Sequence, residues 1–467
     1  MIEESRSNFN RWQAEQDYLA EQKQLHPEFF EKKDGLTVKE QLSRIGIVLS
    51  YQEITNGFIK YYPFDFIVEE VLRDGEVITV DYDVPSVPSG SGPFLVFDLV
   101  KVGISTIDAI RELAQRLQIK ETQIGYGGIK DSIAFTSQRL SVSGVTPEQL
   151  INLPESNFFI KNIRYSSEAI SMNSTSGNRF TILIRTAEPI DEQLLESRLQ
   201  DLRQNGFWNF YWLQRFGNRL LSHWWGLLLL QGKDEKAIRS YLCDPGPNEL
   251  SFFSKLRKQA NGQYENWEAM AELYKPLGFS FRQELILLNS LREFRHDYIG
   301  ALRAIPDQAK MWIYAYGSLL FNKVLSFAAA DQIKIGQKVP LLLSNNPKDY
   351  EIYEKFLEND RLPQDFSKNI RRFDFMRFTP RTVDPKLFAK IYEVKVLPEG
   401  TVISFDLPKG AYATAFLSHI FCLDGQILPQ LKNTVYDLKE LIGSGSITET
   451  KKKLEKYTVI RKAEEVE

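Results

Sequence analysis

The stretch "GYGGIKDSIAFTSQRLSV" (Gly125–Val142) puts three glycines and a Lys130-Asp131 pair at one bend, and then continues as a polar, extended run. Glycines at a bend can cradle a phosphate, or they can leave room around a reactive carboxylate. The phosphate interpretation is weak, because the glycines fit neither the G-x-x-x-x-G-K-[ST] nor the G-x-G-x-x-G pattern. In the other interpretation Gly127 and Gly128 let another chain approach closely, while Lys130 keeps Asp131 ionised.

Asp131 is therefore a candidate catalytic residue. Beside a cation an aspartate is a carboxylate at neutral pH, and in that state it can act as a nucleophile or base but not as a general acid. A single Lys-Asp pair at a turn is more often solvated than catalytic, so both interpretations stay open on this stretch alone.

The composition excludes several classes of protein. The chain has 467 residues, of which 43% are hydrophobic and 25% charged, which predicts two or three globular domains. A net charge of −3 argues against binding a polyanion over the whole surface, but it allows a local basic cleft. Two cysteines and four scattered histidines predict neither a disulfide framework nor a metal site. Without a signal peptide or an apolar run long enough to span a bilayer, we expect a soluble, cytoplasmic protein.

The pattern of extended and helical segments predicts five parts. They are a helical N-terminal extension (1–50), a first α+β part (51–207), a mainly helical block (208–390), a return to strand character (391–445) and a charged, solvated tail (446–467). A helical block between extended segments indicates an insertion into an α+β domain rather than a tandem array. Within the first part, Thr106 is the expected N-cap of a helix.

Three further segments mix aromatic and charged residues. Phe66 begins a strand whose two glutamates predict an acidic outer face. Another strand has Asn178 and Arg179 at its mouth and Phe180 on one face, and Arg215 stands in "WNFYWLQRFGNR". Buried packing explains each segment taken alone. Arginines interleaved with aromatic residues are also what single-stranded RNA requires, since they offer charge for phosphates and flat faces for bases.

Seven segments between about residues 57 and 420 resemble, in the same order, the TruD family of tRNA pseudouridine synthases. They are "DFIVEE" (65–70), "LVKVGISTIDAI" (99–110), "GGIKDSIAFTSQ" (127–138), "GNRFTILIR" (177–185), "NFYWLQRFG" (209–217), "YAYGSLLFNKVLS" (314–326) and "LPKGAYATAFL" (407–417). The third resembles the family's catalytic signature G-x-K-D-x-x-A-x-T-x-Q. Each segment is a weak signal, whereas seven in order are highly specific.

The resemblance implies a reaction and a role for four of these residues. Asp131 would attack a uridine of tRNA, by resemblance uridine 13, which is converted to pseudouridine; the sequence leaves open whether the sugar or the base is attacked. Lys130 would neutralise Asp131 and hold it in place. Phe180 would stack on the flipped uracil, and Asn178 would form a hydrogen bond near the base or the aspartate.

The resemblance also implies the surroundings of the reaction. Phe66 would line the edge of the active site, and Arg215 would brace the site or meet a phosphate. The fold would be a pseudouridine-synthase catalytic domain with a mixed or antiparallel sheet and an inserted, mainly helical TruD-specific domain. No metal, nucleotide or organic cofactor is implied. The partner would be tRNA, with other RNAs left open, and no membrane; the oligomeric state stays open, and a monomer is compatible with the sequence.

Two alternatives remain at this point. The first is a non-catalytic tRNA- or RNA-binding protein that retains the fold, against which the presence of both Lys130 and Asp131 argues. The second is an unrelated carboxylate enzyme such as a glycosidase, which requires a second acid roughly 5–10 Å from Asp131.

Overall fold

The structure is a computed structural model that describes residues 2–31, 35–48, 55–154, 156–342, 347–362, 366–423, 431–432 and 434–457. They fall into two compact units, the first from the ranges 52–207 and 386–466 and the second from 2–51 and 208–385. The expected boundary at residue 50 lies outside the described residues. The other expected domain boundaries stay predictions.

A nine-stranded sheet forms the centre of the first unit. Its strands are β1 (Phe66–Leu72), β2 (Val77–Ile78), β3 (Phe94–Lys101), β4 (Ile124–Tyr126), β5 (Phe135–Val142), β6 (Phe158–Ser166), β7 (Thr175–Arg185), β8 (Lys390–Leu397) and β9 (Gly400–Pro408). They follow the order β8-β9-β7-β1-β5-β3-β6, with β2 beside β1 and β4 beside β5. All pairs are antiparallel except β1 and β5. The sheet is therefore mixed, and the predicted α+β class is confirmed.

Helices accompany this sheet in the first unit. They are Thr106–Leu117, Pro147–Ile151, Glu192–Asn205, Ala413–Leu417, Leu438–Leu441 and Thr448–Leu454. The helix Thr106–Leu117 packs its apolar stripe, which includes Ile110 and Leu113, against β3 and β6. Its N-cap is Ser105, whose hydroxyl accepts the N–H of Asp108. The expectation that Thr106 caps this helix is wrong, because the Thr106 side chain is buried.

A polar strand, β5, lies in the middle of the sheet and is buried along its whole length. Buried polar groups need partners, and this strand supplies them from its neighbours. Arg139 donates from Nε to Asp98 Oδ1 at 2.7 Å, and Gln138 Oε1 accepts the Thr106 hydroxyl at 2.8 Å. The polar run that follows the glycine bend is thus an interior strand.

The start of β1 is fixed to the end of β7 by a buried ion pair. Both side chains are almost fully buried, and Arg185 donates to the two carboxylate oxygens of Asp65 at 2.8 and 3.0 Å. Removing one partner of such a pair costs about 3–5 kcal/mol. The pair thereby fixes the position of Phe66, which follows Asp65 directly.

The second unit is mainly helical. Its helices are Ile2–Leu25, Val38–Arg44, Ser222–Leu230, Asp234–Cys243, Ser251–Gly262, Trp267–Tyr274, Arg282–Glu293, Tyr298–Ala304, Pro306–Ala329, Glu354–Asn359 and Phe366–Arg371. Pro306–Ala329 packs against Ser222–Leu230 so closely that a Cβ on Gly226 would overlap the carbonyl of Trp312. No helix among the described residues is both long and apolar enough to cross a bilayer.

The charged C-terminal region differs from the expectation in its described part. Thr448–Leu454 is a helix of the first unit, where Leu454 is 1% exposed and the Thr450 hydroxyl donates to Val80 O at 2.7 Å. Ile447, Thr450 and Leu454 are therefore packed on the sheet unit, whereas the charged Glu449, Lys452 and Lys453 are exposed to solvent. The remainder of the expected tail, 458–467, lies outside the described residues.

Candidate functional site

Asp131 lies in the loop between β4 and β5, four residues before Phe135, where β5 begins. Since β1 and β5 run parallel, with Ile67 opposite Phe135, the residues that precede both strands meet at the same edge of the sheet. Lys60 and Phe66 reach this edge from the β1 side. The fold thus gathers residues that stand more than 60 positions apart in the sequence.

The Asp131 carboxylate has two partners at this edge. Lys60 Nζ forms an ion pair with Oδ2, and the Ile133 N–H donates to Oδ1 at 2.9 Å. Burial acts to raise the pKa of the Asp131 carboxyl, but the adjacent Lys60, the Ile133 N–H and the charge of Lys101 hold that pKa below its ordinary value. The side chain is nevertheless 33% exposed, so the site combines an ionised carboxylate with access from solvent.

Lys60 was not identified from the sequence, although it is the cation that contacts Asp131. Its backbone adopts φ of 63°, a left-handed conformation that costs an ordinary residue about 1–2 kcal/mol. Nearby, Phe58 exchanges two 2.8 Å backbone hydrogen bonds with Arg185 of β7, which anchors the segment. The Lys60 ammonium also lies 4.6 Å from the centroid of the Phe66 ring. No spacing rule connects Lys60 to Asp131, so the sequence carries no local signal for this pair.

The expectation that Lys130 neutralises Asp131 is wrong. The Lys130 ammonium contacts Glu70 Oε1 at 2.8 Å and donates to Asn178 Oδ1 at 2.7 Å. Glu70 itself is fully buried, and its other oxygen accepts the Arg139 N–H at 3.0 Å. Glu70 is therefore not part of an acidic outer face. Lys130 holds β1 and β7 together beside the loop, and it fixes the orientation of the Asn178 amide.

A second lysine, Lys101, supports Asp131 through the main chain. Its fully buried ammonium donates to Asp131 O at 2.7 Å and to Ile104 O at 2.8 Å. Burial lowers the pKa of Lys101 to about 8, against the opposing effect of the Asp131 charge. Lys101 belongs to "LVKVGISTIDAI" (99–110), one of the seven segments that resemble the TruD family, but the sequence of this segment does not indicate the contact with Asp131.

Three aromatic rings pack against one another, and one of them, Phe66, lies against Lys60, the ion-pair partner of Asp131. Phe180 stacks on Phe405 with centroids 5.3 Å apart, and Phe66 meets Phe180 edge-on at 6.2 Å. Phe66 and Phe180 are 4% and 7% exposed. Because Phe405 covers one face of Phe180, a base that stacks on Phe180 must use the opposite face.

The two central glycines of the bend differ. A Cβ on Gly127 would overlap the Thr175 methyl group, so β7 requires a glycine there. A Cβ on Gly128 would meet nothing within 4 Å. The close approach expected at both positions is thus found at Gly127 alone.

Arg215 belongs to the second unit. It lies in the short helix Leu213–Phe216, where its guanidinium is 5.1 Å from the Tyr211 ring centroid and its Nη1 is 3.5 Å from Met311 Sδ. Its contacts are those of a half-buried arginine on an aromatic surface.

Comparison with known proteins identifies the family of this chain. The family model described as tRNA pseudouridine synthase D (TruD) matches residues 45–341. A protein of Methanococcus aeolicus named probable tRNA pseudouridine synthase D is 29% identical over 403 residues, which cover 78% of this chain and 96% of that protein. One of the same name from Archaeoglobus fulgidus is 32% identical over 274 residues, covering 58% and 62%.

A solved structure shows the same fold. The crystal structure of the putative tRNA pseudouridine synthase D of Methanosarcina mazei matches with a TM-score of 0.61 and 21% identity, covering 82% of this chain and 98% of that one. Because the family model covers more than half of the sequence, and relatives align over most of it, this chain belongs to the TruD family of tRNA pseudouridine synthases.

Proposed function

We propose that this protein converts a uridine of tRNA to pseudouridine, with Asp131 as the nucleophile and uridine 13 as the target. The observation that carries the proposal is the state of Asp131: an ion pair and a backbone N–H hold it as a carboxylate, yet one third of the side chain remains exposed. The names of the relatives support tRNA as the substrate. A cytoplasmic location follows from that substrate and is part of the proposal.

The reaction is an isomerisation and balances without a co-reactant. Asp131 attacks the target nucleoside, and the N1–C1′ glycosidic bond breaks. The uracil rotates, the C5–C1′ bond forms and the bond to Asp131 breaks, which releases the free carboxylate; the proton on C5 is lost while N1 gains one. Attack on the sugar and attack on the base both need an ionised carboxylate, so the lowered pKa of Asp131 suits either route.

The cluster of Phe66, Phe180 and Phe405 offsets part of the free energy needed to take the target base out of its stack. A base must leave the stack before its glycosidic bond can be reached, which costs a few kcal/mol. A stacking aromatic ring returns about 1–3 kcal/mol per base. The face of Phe180 opposite Phe405 is the proposed platform for the flipped uracil, and Phe66 limits its edge. Asn178, oriented by Lys130, is the proposed hydrogen-bonding partner.

The proposal extends to the domain organisation and to the role of Arg215. Residues 51–207 and 391–445 form the catalytic domain, and 208–390 form an inserted domain that contributes to RNA binding, with Arg215 meeting a phosphate. If phosphates carry much of the affinity, the logarithm of the binding constant falls linearly with the logarithm of salt concentration. Arg215→Ala reduces that slope by about one under this proposal.

A second enzyme class, a glycosidase, has no observation in its favour. A glycosidase would need a second carboxyl group close to Asp131, and this group would have to be protonated to act as the general acid. Glu70, the buried acid joined to the same loop, is ion-paired with Lys130 instead.

The test is to incubate the protein with an unmodified tRNA transcript and to map pseudouridine by chemical sequencing. We expect one pseudouridine, at position 13, and none in a transcript with cytidine at that position. Pseudouridine elsewhere would refute the target, and its absence from every transcript would refute the activity.

A further inference from the structure

An exposed apolar side chain stands two residues before Asp131. Ile129 is 68% exposed, a value matched in this unit by loop residues such as Val84 at 69% and Val87 at 58%. Single exposed hydrophobic residues are common and by themselves indicate nothing. What distinguishes Ile129 is the way in which its loop is held.

Side chains from four other places fix the main chain on both sides of Ile129. The contacts are Lys409 Nζ to Gly127 O at 3.2 Å, Gln138 Nε2 to Gly128 O at 3.2 Å, the Lys130 N–H to Thr106 Oγ1 at 2.9 Å, and Lys101 Nζ to Asp131 O at 2.7 Å. Three of these four side chains, those of Gln138, Thr106 and Lys101, are fully buried and therefore immobile. Surface loops usually lack such support.

The side chain is stiff as well as its backbone. Isoleucine is branched at Cβ, which restricts its first side-chain torsion. A Cβ on Gly128, immediately before Ile129, would meet nothing within 4 Å, so the loop has open space at this neighbouring position. The loop therefore presents a rigid apolar group to solvent beside an ionised carboxylate.

The two-residue separation of Ile129 from Asp131 suits a nucleic acid whose target base has left the stack. Two residues span at most about 7 Å of chain, which is close to two base-stacking steps of about 3.4 Å. A flipped base leaves a gap in its stack, and proteins that unstack bases commonly fill such gaps with apolar side chains, isoleucine among them. Filling the gap also removes an exposed isoleucine from water, which is favourable.

We propose that Ile129 packs against the base next to the target uridine and occupies the space that the uridine leaves on flipping. This inference rests on the proposed function. It assigns Ile129 a part in extruding the nucleotide, distinct from the chemistry of Asp131 and from the stacking of the flipped uracil on Phe180.

The first test compares Ile129→Ala and Ile129→Val with the wild type in single-turnover pseudouridine formation. Val87→Ala, at another exposed β-branched residue of the same unit, is the matched control. We expect Ile129→Ala to slow the reaction about tenfold or more, since three methyl or methylene groups at about 0.8 kcal/mol each no longer contact the RNA. Ile129→Val stays within about fourfold of the wild type, Val87→Ala is unchanged, and tRNA affinity varies less than about threefold.

A second measurement separates gap filling from a general effect on the loop. In a tRNA with an abasic site next to the target uridine, there is no base for Ile129 to pack against. There we expect Ile129→Ala to react as fast as the wild type. Equal rates of wild type and Ile129→Ala on intact tRNA, or an undiminished defect on the abasic tRNA, would overturn the inference while leaving the proposed function in place. A wild type that forms no pseudouridine on any tRNA would instead refute the proposed function, and the inference with it.

Discussion

Replacing Lys60 by methionine removes the cation beside Asp131 and keeps most of the side-chain volume. In the wild type, burial raises the pKa of the Asp131 carboxyl, and Lys60 is the first of the opposing influences that hold it low. Without Lys60 the burial remains, so the pKa of Asp131 rises. Protonated Asp131 is not a nucleophile, and the acidic limb of the pH profile of kcat/KM should move toward neutral pH.

The size of the effect follows from the contact that is lost. A hydrogen bond to a charged group is worth about 1.5–3 kcal/mol. The Lys60 and Asp131 side chains are 19% and 33% exposed, so solvent screens the pair in part and the lower end of that range applies. At 1.4 kcal/mol per factor of ten, kcat/KM on the acidic limb should fall about tenfold and by no more than about a hundredfold, whereas kcat/KM at neutral pH, where Asp131 stays ionised, should change less.

The assay is kcat/KM for pseudouridine formation between pH 5 and 9, with tRNA affinity measured in parallel. Lys451→Met is the matched control, because Lys451 is a lysine of the same unit whose ammonium lies 4.8 Å from the Phe64 ring centroid. We expect the control to keep the wild-type profile and both variants to bind tRNA within about threefold. A Lys60→Met variant with wild-type kcat/KM and an unmoved acidic limb would refute the role assigned to the pair.

Three further changes test other parts of the site. The pKa of Lys101 lies at about 8, so its charge is present below that pH and lost above it, and kcat/KM of the wild type should decline above about pH 8. A Lys101→Met variant should be slower at every pH and should show no such decline. The same decline in this variant would contradict the role assigned to Lys101. Gly127→Ala should lower the free energy of unfolding by about 1–3 kcal/mol, because the new methyl group overlaps that of Thr175. Adding Thr175→Ser removes the Thr175 methyl group and should restore most of the lost stability in thermal unfolding. No restoration would mean that the clash lies elsewhere. Phe180→Leu should reduce kcat/KM about tenfold to a hundredfold, since base stacking is worth about 1–3 kcal/mol, and an unchanged value would remove Phe180 as the platform.

Much of the fold could be predicted from the sequence because its signals are local. Runs of β-branched and aromatic residues mark most of the strands, and helical spacing marks Thr106–Leu117 and the helices of the second unit. The cap of that helix was misplaced by one residue because serine and threonine are both good N-caps, and only tertiary structure shows that Thr106 is needed inside. The packing of the helix Thr448–Leu454 could not be predicted because lysines dominate its sequence, whereas two buried residues, Thr450 and Leu454, attach it to the sheet unit.

The partners within the site could not be predicted in the same way. Asp131, Lys130 and Asn178 stand in recognisable segments, but which cation meets which carboxylate depends on the parallel pairing of β1 with β5 and on the register of β7. Lys60 and Asp131 are separated by 71 positions, and no pattern of spacing spans such a distance. The buried pair of Lys130 with Glu70 was missed for the same reason, since alternation along β1 predicted an exposed glutamate.

The most direct test of the account concerns Asp131 itself. A tRNA labelled with tritium at C5 of uridine releases the label when the C5–C1′ bond forms, and the release can be followed in a single turnover with enzyme in excess. We expect the wild type to release one equivalent of tritium per tRNA and Asp131→Asn to release none, while the variant binds the same tRNA within about threefold. Release of tritium by Asp131→Asn at the wild-type rate would contradict the account.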